Sequence, residues 1–192
     1  MNALNHYIRV YDNALEPGFC ANLISGFEQM SDLQRQNGRG VRPGLDNSAW
    51  TEMNVGRLAD KAFLGFFMVQ IERYLAQYNA DVGLGIPVPL RPTTDNLTMK
   101  RYRAGADEVF EPHFDSIDAV SNRYLVYLWY LNDVQDGGAT EFCDLGVKVQ
   151  PRAGRLLMFP PYWMYQHAGR APVSGDKYIL STYLTFPNAP AA

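Results

Sequence analysis

Along the first third of the chain, apolar residues recur at helical spacing. Phe19, Leu23, Phe27 and Met30 fall on one face, and Pro17 suits a first helical turn, so a helix is predicted from Glu16 or Pro17 to about Met30. A second helix is predicted from about Val55 to Tyr78. Its stripe of Ala59, Phe63, Phe66, Phe67, Tyr74 and Tyr78 reads as a core contact. A short strand over Ile8 to Tyr11 precedes the first helix. The stretch RQNGRGVRPGLDNSAW, with Gly38, Gly40, Pro43 and Gly44, reads as a loop between the helices. From Gly83 onward the helical period is lost. Short apolar or alternating runs predict strands at Asn96 to Arg103, Arg123 to Leu131, Thr140 to Phe142, Val147 to Gln150, Arg155 to Phe159 and Tyr178 to Phe186. YLVYLWYL is apolar at every position, as in a strand buried on both faces. Turns are expected at Asp136-Gly137-Gly138 and from Pro151 to Gly154.

The expected fold class is therefore mainly β with flanking helices: a jelly-roll, cupin-like double-stranded β-helix packed by N-terminal helices. A length of 192 residues suits one domain over 1–192, with 1–82 as helical support and 83–192 as the jelly-roll core that carries the active site. A formal net charge of -3 gives no global basic footprint, so a nucleic-acid partner is not expected. The clustered Lys100, Arg101 and Arg103 read as a solvated sheet face. The start of the chain does not read as a secretory signal. The apolar stretch from Phe63 to Ile71, flanked by Lys61 and Glu72, is too short to span a bilayer, so no membrane partner is expected. Cys20 and Cys143 form neither a disulfide framework nor a CxxC site. They are expected to be free, buried thiols in a reducing cytoplasm.

The candidate chemistry lies in the strand-rich half. His113 and Asp115, in EPHFDS, are two residues apart, so in an extended segment both side chains point to one face. His167 is expected in a turn after the strand ending at Phe159. Two histidines and one carboxylate with open positions opposite form the facial triad of non-haem Fe(II) oxygenases. HxD alone is a short pattern, and zinc takes similar ligands, so the donor set by itself leaves the metal open.

Four segments carry a wider likeness: RVYDNALEPGFCANLISGFE, YRAGADEVFEPHFD, YLNDVQDGGATEF and HAGRAPVSGDKYILSTYL. Together they resemble the prolyl-4-hydroxylase-like group of 2-oxoglutarate/Fe(II) dioxygenases. The distal histidine and a lysine ten residues later, His167 and Lys177, keep that group's spacing. The resemblance implies that His113, Asp115 and His167 ligate Fe(II) and form the catalytic centre. It implies that Lys177 pairs with the distal carboxylate of 2-oxoglutarate and that Tyr102 hydrogen-bonds the same group. The implied reaction consumes 2-oxoglutarate and O2, releases succinate and carbon dioxide, and hydroxylates an unactivated C–H bond of a peptide or small molecule. Ascorbate is a further cofactor the likeness suggests. The glycine-rich segment from Gly38 to Asn47 is a candidate lid.

This chain departs from the group's pattern at several positions. A threonine near the co-substrate carboxylate is replaced by Val126, and the interval from Tyr102 to His113 is longer than usual. Phe110 stands where the group has tyrosine, and Tyr183 where it has tryptophan. The last two positions face substrate in prolyl hydroxylases, so they bear on the substrate more than on the metal. Three alternatives stay open: the same chemistry on a free amino acid, small metabolite or nucleobase; a divalent-metal hydrolase; and a non-enzymatic cupin-like metal-binding module. A lysine at the co-substrate position argues against the last two.

Overall fold

The computed structural model describes residues 3–41, 44–90 and 93–187. Helix α1 spans Pro17–Gln29, with Pro17 in its first turn. Helix α2 spans Lys61–Val82. The Asp60 side chain caps α2 by accepting from the Phe63 amide at 2.8 Å, and Gly83 ends it in the left-handed conformation. The helix thus starts later than periodicity predicts. Val55–Arg57 is a separate 3-10 turn in which the Asn54 side chain accepts from the Arg57 amide.

Among the described residues, strands form two antiparallel sheets. They are β1 (Arg9–Tyr11), β2 (Arg35–Gly38), β3 (Ala49–Asn54), β4 (Thr93–Thr94), β5 (Thr98–Tyr102), β6 (Phe110–His113), β7 (Arg123–Tyr130), β8 (Thr140–Phe142), β9 (Val147–Val149), β10 (Leu156–Phe159), β11 (His167–Gly169) and β12 (Lys177–Thr185). The eight-stranded sheet runs β1-β10-β7-β12-β5-β3-β2, with β4 paired to β12. The four-stranded sheet runs β6-β11-β8-β9. This is the expected jelly-roll with flanking helices.

The alternation along β7 divides the core. Leu125, Tyr127 and Trp129 join Phe27, Phe67, Ile71 and Leu75 of the helices. Val126, Leu128 and Tyr130 join Phe142, Phe159 and Ile179 between the two sheets. One strand is therefore buried on both faces, because helices cover one side and the smaller sheet the other.

Several expectations need correction. The stretch read as a loop between the helices contains the β2–β3 hairpin, and β3 extends the large sheet through β5. Polar RQNG carries no strand alternation; the ladder with β3, not propensity, makes β2 extended. The part expected as helical support therefore supplies three strands as well. The candidate lid is the tip of that hairpin, and its Arg42 and Pro43 lie outside the described residues. At its base Gly38 has φ of 90°, and a Cβ there would lie 2.1 Å from the Ser48 carbonyl oxygen, so only glycine fits. His167 begins strand β11 rather than lying in a turn. Phe66 is partly exposed and packs on Phe19 instead of the sheet. Cys20 is buried as expected, but Cys143 is exposed.

The basic cluster is not a common face. Arg101 reaches Glu28 of α1 at 2.9 Å, Arg103 pairs with the buried Glu108 at 2.9 Å, and Lys100 faces inward.

The N-terminal segment is tied to the large sheet through Gly154, whose carbonyl accepts from the amides of Ala14 at 2.7 Å and Leu15 at 3.1 Å. Gly154 has φ of 77°, and a Cβ would meet the Leu15 carbonyl oxygen at 2.1 Å. Gly154→Ala is expected to destabilise the fold by roughly 1–3 kcal/mol from backbone strain alone, before the clash is added. Urea denaturation measures this, and an unchanged midpoint would contradict the tie.

Candidate active site

The site is assembled by the smaller sheet. In the antiparallel register of β11 against β6, His167 and His113 are direct Cα partners. Asp115 lies just beyond β6. Its amide and that of Ser116 both donate to the Pro161 carbonyl, at 3.0 and 3.1 Å, which anchors the HxD segment to the connection leading into β11.

Each imidazole is oriented by a backbone carbonyl. His113 Nδ1 is 2.7 Å from the Glu111 oxygen, and His167 Nδ1 is 3.1 Å from the Tyr165 oxygen. A carbonyl only accepts, so both Nδ1 atoms carry the proton and both Nε2 lone pairs are free to ligate. The His113 ring is further held by stacking on Phe110, at 3.5 Å between centroids, and Phe110 stacks on Trp50 at 4.6 Å.

The two Nε2 atoms face the two Asp115 oxygens, His113 at 3.6 Å from Oδ1 and His167 at 3.5 Å from Oδ2. All three potential ligand atoms lie within 4.8 Å of one another. These separations exceed a direct hydrogen bond, yet bonds of about 2 Å from each donor to one ion would span them. Burial pushes His167 down to about 4, with the His113 charge adding to it, so its imidazole is neutral at pH 7. Burial alone would raise Asp115. The neighbouring His113 and His167 rings and the Lys100 ammonium outweigh it, and the carboxyl stays ionised well below the usual range.

Behind the triad lies a narrow cavity. Lys177 and Tyr102, Cα partners across β12 and β5, lie in its wall. Lys177 is 2% exposed, and its Nζ rests 4.9 Å above the Tyr102 ring. Among the described residues no carboxylate forms a salt bridge with it. Desolvation, helped by Lys100, lowers Lys177 to about 7. A buried ammonium in this state calls for an anion. Val126 presents an apolar surface to the same cavity, as its replacement of threonine implied, while Thr140 and Ser181 add hydroxyls.

A second, roomier cavity shares Lys100, Phe110, Asp115, Ser181 and Tyr183 with the first. Asn37, Glu52, Asn54, Asp95, Asn96 and Arg123 make most of the rest of its wall polar. The sequence reading set Lys100 on a solvated face and passed over Thr140 and Arg123. For Lys100 a signal existed: it lies two residues before Tyr102, so alternation sets it on the cavity side. For Thr140 and Arg123 no local pattern marks the role.

Residues 97–185 match the family model of the 2OG-Fe(II) oxygenase superfamily. The matched stretch contains Tyr102, the three triad residues and Lys177. Among curated relatives, chicken (Gallus gallus) prolyl 4-hydroxylase subunit alpha-1 is 30% identical over 109 residues, which cover 48% of this chain and 21% of the relative. A probable prolyl 4-hydroxylase 11 of Arabidopsis thaliana is 24% identical over 189 residues, 94% of this chain and 57% of the relative. The chain thus spans about a fifth of the first of these relatives and little more than half of the second. The fold is shared with solved prolyl hydroxylases. A Pseudomonas putida prolyl-4-hydroxylase aligns with a TM-score of 0.69 at 16% identity, covering 95% of this chain and 94% of that one. A Trichoplax adhaerens prolyl hydroxylase, solved with a hypoxia inducible factor oxygen degradation domain peptide fragment, aligns with a TM-score of 0.71 at 14% identity, covering 94% and 84%. The chain is thus similar to prolyl 4-hydroxylases in sequence, and it shares the fold of solved prolyl hydroxylases.

If the triad donors act together, removing one should abolish the site and spare the fold, since both sheets close without the ion. Asp115→Ala is expected to weaken Mn(II) binding by more than about tenfold, the loss typical when merely an outer partner of a ligand is removed. Its thermal midpoint should stay near that of the unsubstituted protein. Unchanged Mn(II) affinity in isothermal titration would refute the assignment.

Proposed function

We propose that this chain is a 2-oxoglutarate- and Fe(II)-dependent dioxygenase that hydroxylates an unactivated C–H bond, with His113, Asp115 and His167 as iron ligands. One observation carries the reading: a two-histidine, one-carboxylate cluster opens on a cavity whose wall holds a buried lysine with no carboxylate partner among the described residues. A hydrolase needs the first feature but not the second. The donor chemistry fits Fe(II), with both imidazoles oriented by backbone carbonyls and open positions facing the cavity. Lys177 fits the distal carboxylate of a short dicarboxylate by a charge-assisted bond. The Tyr102 phenol is raised by burial and by nearby carboxylates, so it stays protonated and can donate to the same group.

When bound, iron and 2-oxoglutarate supply oxidising power through decarboxylation to succinate, with one oxygen atom of O2 ending in the substrate. The chain's own part is positioning and exclusion of water. Lys177 and Tyr102 orient the co-substrate, Val126 and Ile179 keep its cavity dry, and the Phe110–His113 stack fixes one ligand ring. Ascorbate joins the proposal as an external reductant that keeps iron ferrous. A cytoplasmic setting also belongs to it, where Cys20 and Cys143 stay reduced.

The substrate enters through the polar vestibule. A peptide is the partner suggested by the Trichoplax complex. The wall of Asn37, Glu52, Asn54, Asp95 and Asn96 favours a hydrophilic segment or a small polar molecule over a proline-rich chain. Phe110 adds an apolar surface beside the metal without a hydroxyl. A succinate-release screen with Fe(II), 2-oxoglutarate and panels of peptides, amino acids and nucleotides tests the reaction class and the substrate together. Collagen-like and polyproline peptides should be poor substrates by mass spectrometry under conditions of confirmed 2-oxoglutarate turnover. Efficient, tightly coupled prolyl hydroxylation would show that Phe110 and Tyr183 do not define the substrate.

Lys177→Met should weaken 2-oxoglutarate binding by roughly ten- to a hundred-fold, or about 1.5–3 kcal/mol, and leave Mn(II) affinity nearly intact. Tyr102→Phe should lose less, because only a neutral donor goes. Binding requires the Lys177 ammonium, which in the empty site titrates at about 7. Above that pH a proton must be taken up with the ligand, so affinity should fall by up to about tenfold per pH unit. The slope should vanish in Lys177→Met. A flat profile in the unsubstituted protein would place the co-substrate elsewhere.

A further inference from the structure

We propose that Tyr183 is a positioning residue for the metal centre: its hydroxyl holds one oxygen of Asp115 and so selects the other for the ion. The inference rests on the proposed metal site and goes beyond it. The Tyr183 hydroxyl donates to Asp115 Oδ1 at 3.0 Å. Asp115 Oδ2 is left facing His167 Nε2. An aspartate with one oxygen engaged by a strong donor presents the second as a single-point ligand. An ion held by this single oxygen and the two imidazoles would keep positions open toward the cavity for the co-substrate.

Tyr183 is itself clamped. The Arg123 guanidinium lies 3.8 Å over its ring and pairs with Asp95, Nε to Oδ2 at 3.0 Å. Arg123 Nη1 also reaches the Asp115 carbonyl at 3.5 Å. Asp95 closes the circuit through the backbone: its amide donates to the Tyr183 carbonyl at 2.9 Å, and its carbonyl accepts from Thr182 Oγ1 at 2.9 Å. Ring, hydroxyl and carboxylate thus form a chain, Asp95–Arg123–Tyr183–Asp115, running along the wall of the polar vestibule into the metal site. An indole at position 183 would not place a hydroxyl there, so this chain has its own means of holding the aspartate.

Tyr183→Phe deletes the hydroxyl and keeps the ring under Arg123. The test compares Mn(II) affinity by titration, the d–d absorption of the Co(II)-loaded protein, and thermal midpoints, none of which needs substrate. The expected result is an affinity loss of about tenfold, in the range seen when the outer partner of a ligand is removed. The Co(II) spectrum should also change as Asp115 becomes free to bind through both oxygens, at a midpoint close to that of the unsubstituted protein. Arg123→Gln, which loosens the clamp and keeps the hydroxyl, should shift the Co(II) spectrum in the same direction by a smaller amount; it serves as the second probe should Tyr183→Phe not fold. Unchanged affinity and an unchanged Co(II) spectrum in Tyr183→Phe would overturn the inference, as would an unchanged spectrum in Arg123→Gln. Asp115→Ala separates the two ideas. If it loses metal while Tyr183→Phe does not, the metal site stands and the role of Tyr183 falls; if it keeps metal, the site itself is wrong.

Discussion

The antiparallel register of β11 on β6 is the constraint on which the site depends. It makes His167 and His113 direct partners, so the two imidazoles meet across a single strand spacing with no loop to adjust. Asp115 is then brought between them by a second restraint, the pair of amide bonds from Asp115 and Ser116 to Pro161. The carbonyls of Glu111 and Tyr165 set both ring tautomers from the strand backbone itself. A slip of one residue in this register would turn the side chains of β11 to the other face and dissolve the donor set.

The large sheet does a different job. It supplies the wall opposite the triad, where the proposed co-substrate would sit. Lys177 enters β12 at its first residue, directly across from Tyr102, and is buried without a carboxylate partner among the described residues. Such an ammonium is tolerable because the rest of β12 is anchored on both sides, by β7 and by β5 with β4. Packing of α1 and α2 on the other face of the same sheet keeps that strand in place, so the helices act on the chemistry indirectly. The positive wall also explains why Lys100 matters: it lowers both Lys177 and His167 by charge while holding Asp115 ionised.

The two cavities meet at Phe110, Asp115 and Tyr183, and their characters differ. The inner one sets apolar side chains beside the triad, two hydroxyls, and Lys100 and Lys177; the outer one is rich in amides and carboxylates. That contrast fits a buried co-substrate recognised by a single charge pair and a more hydrated substrate recognised by many weak polar contacts. The positions where this chain departs from the prolyl hydroxylase pattern, Phe110 and Tyr183, lie at the boundary between them.

Much of this was legible in the sequence, for reasons that are local. Period-two geometry sets His113 and Asp115 on one face, unbroken apolarity marks β7 as buried on both sides, and the spacing from His167 to Lys177 carries the likeness to the superfamily. Helix α1 was readable from its stripe and its proline. Tertiary structure alone decided the rest. Polar β2 becomes a strand only because β3 offers it a ladder, and His167 is a strand residue only because β6 and β8 flank it. Arg101 and Arg103, adjacent to inward-facing residues, are claimed by Glu28 and Glu108, partners that a linear reading has no means to choose. The chain from Asp95 through Arg123 and Tyr183 to Asp115 joins residues up to 88 positions apart, and no sequence period reports it. Local patterns fix which face a side chain takes, whereas long-range pairing fixes what it meets there.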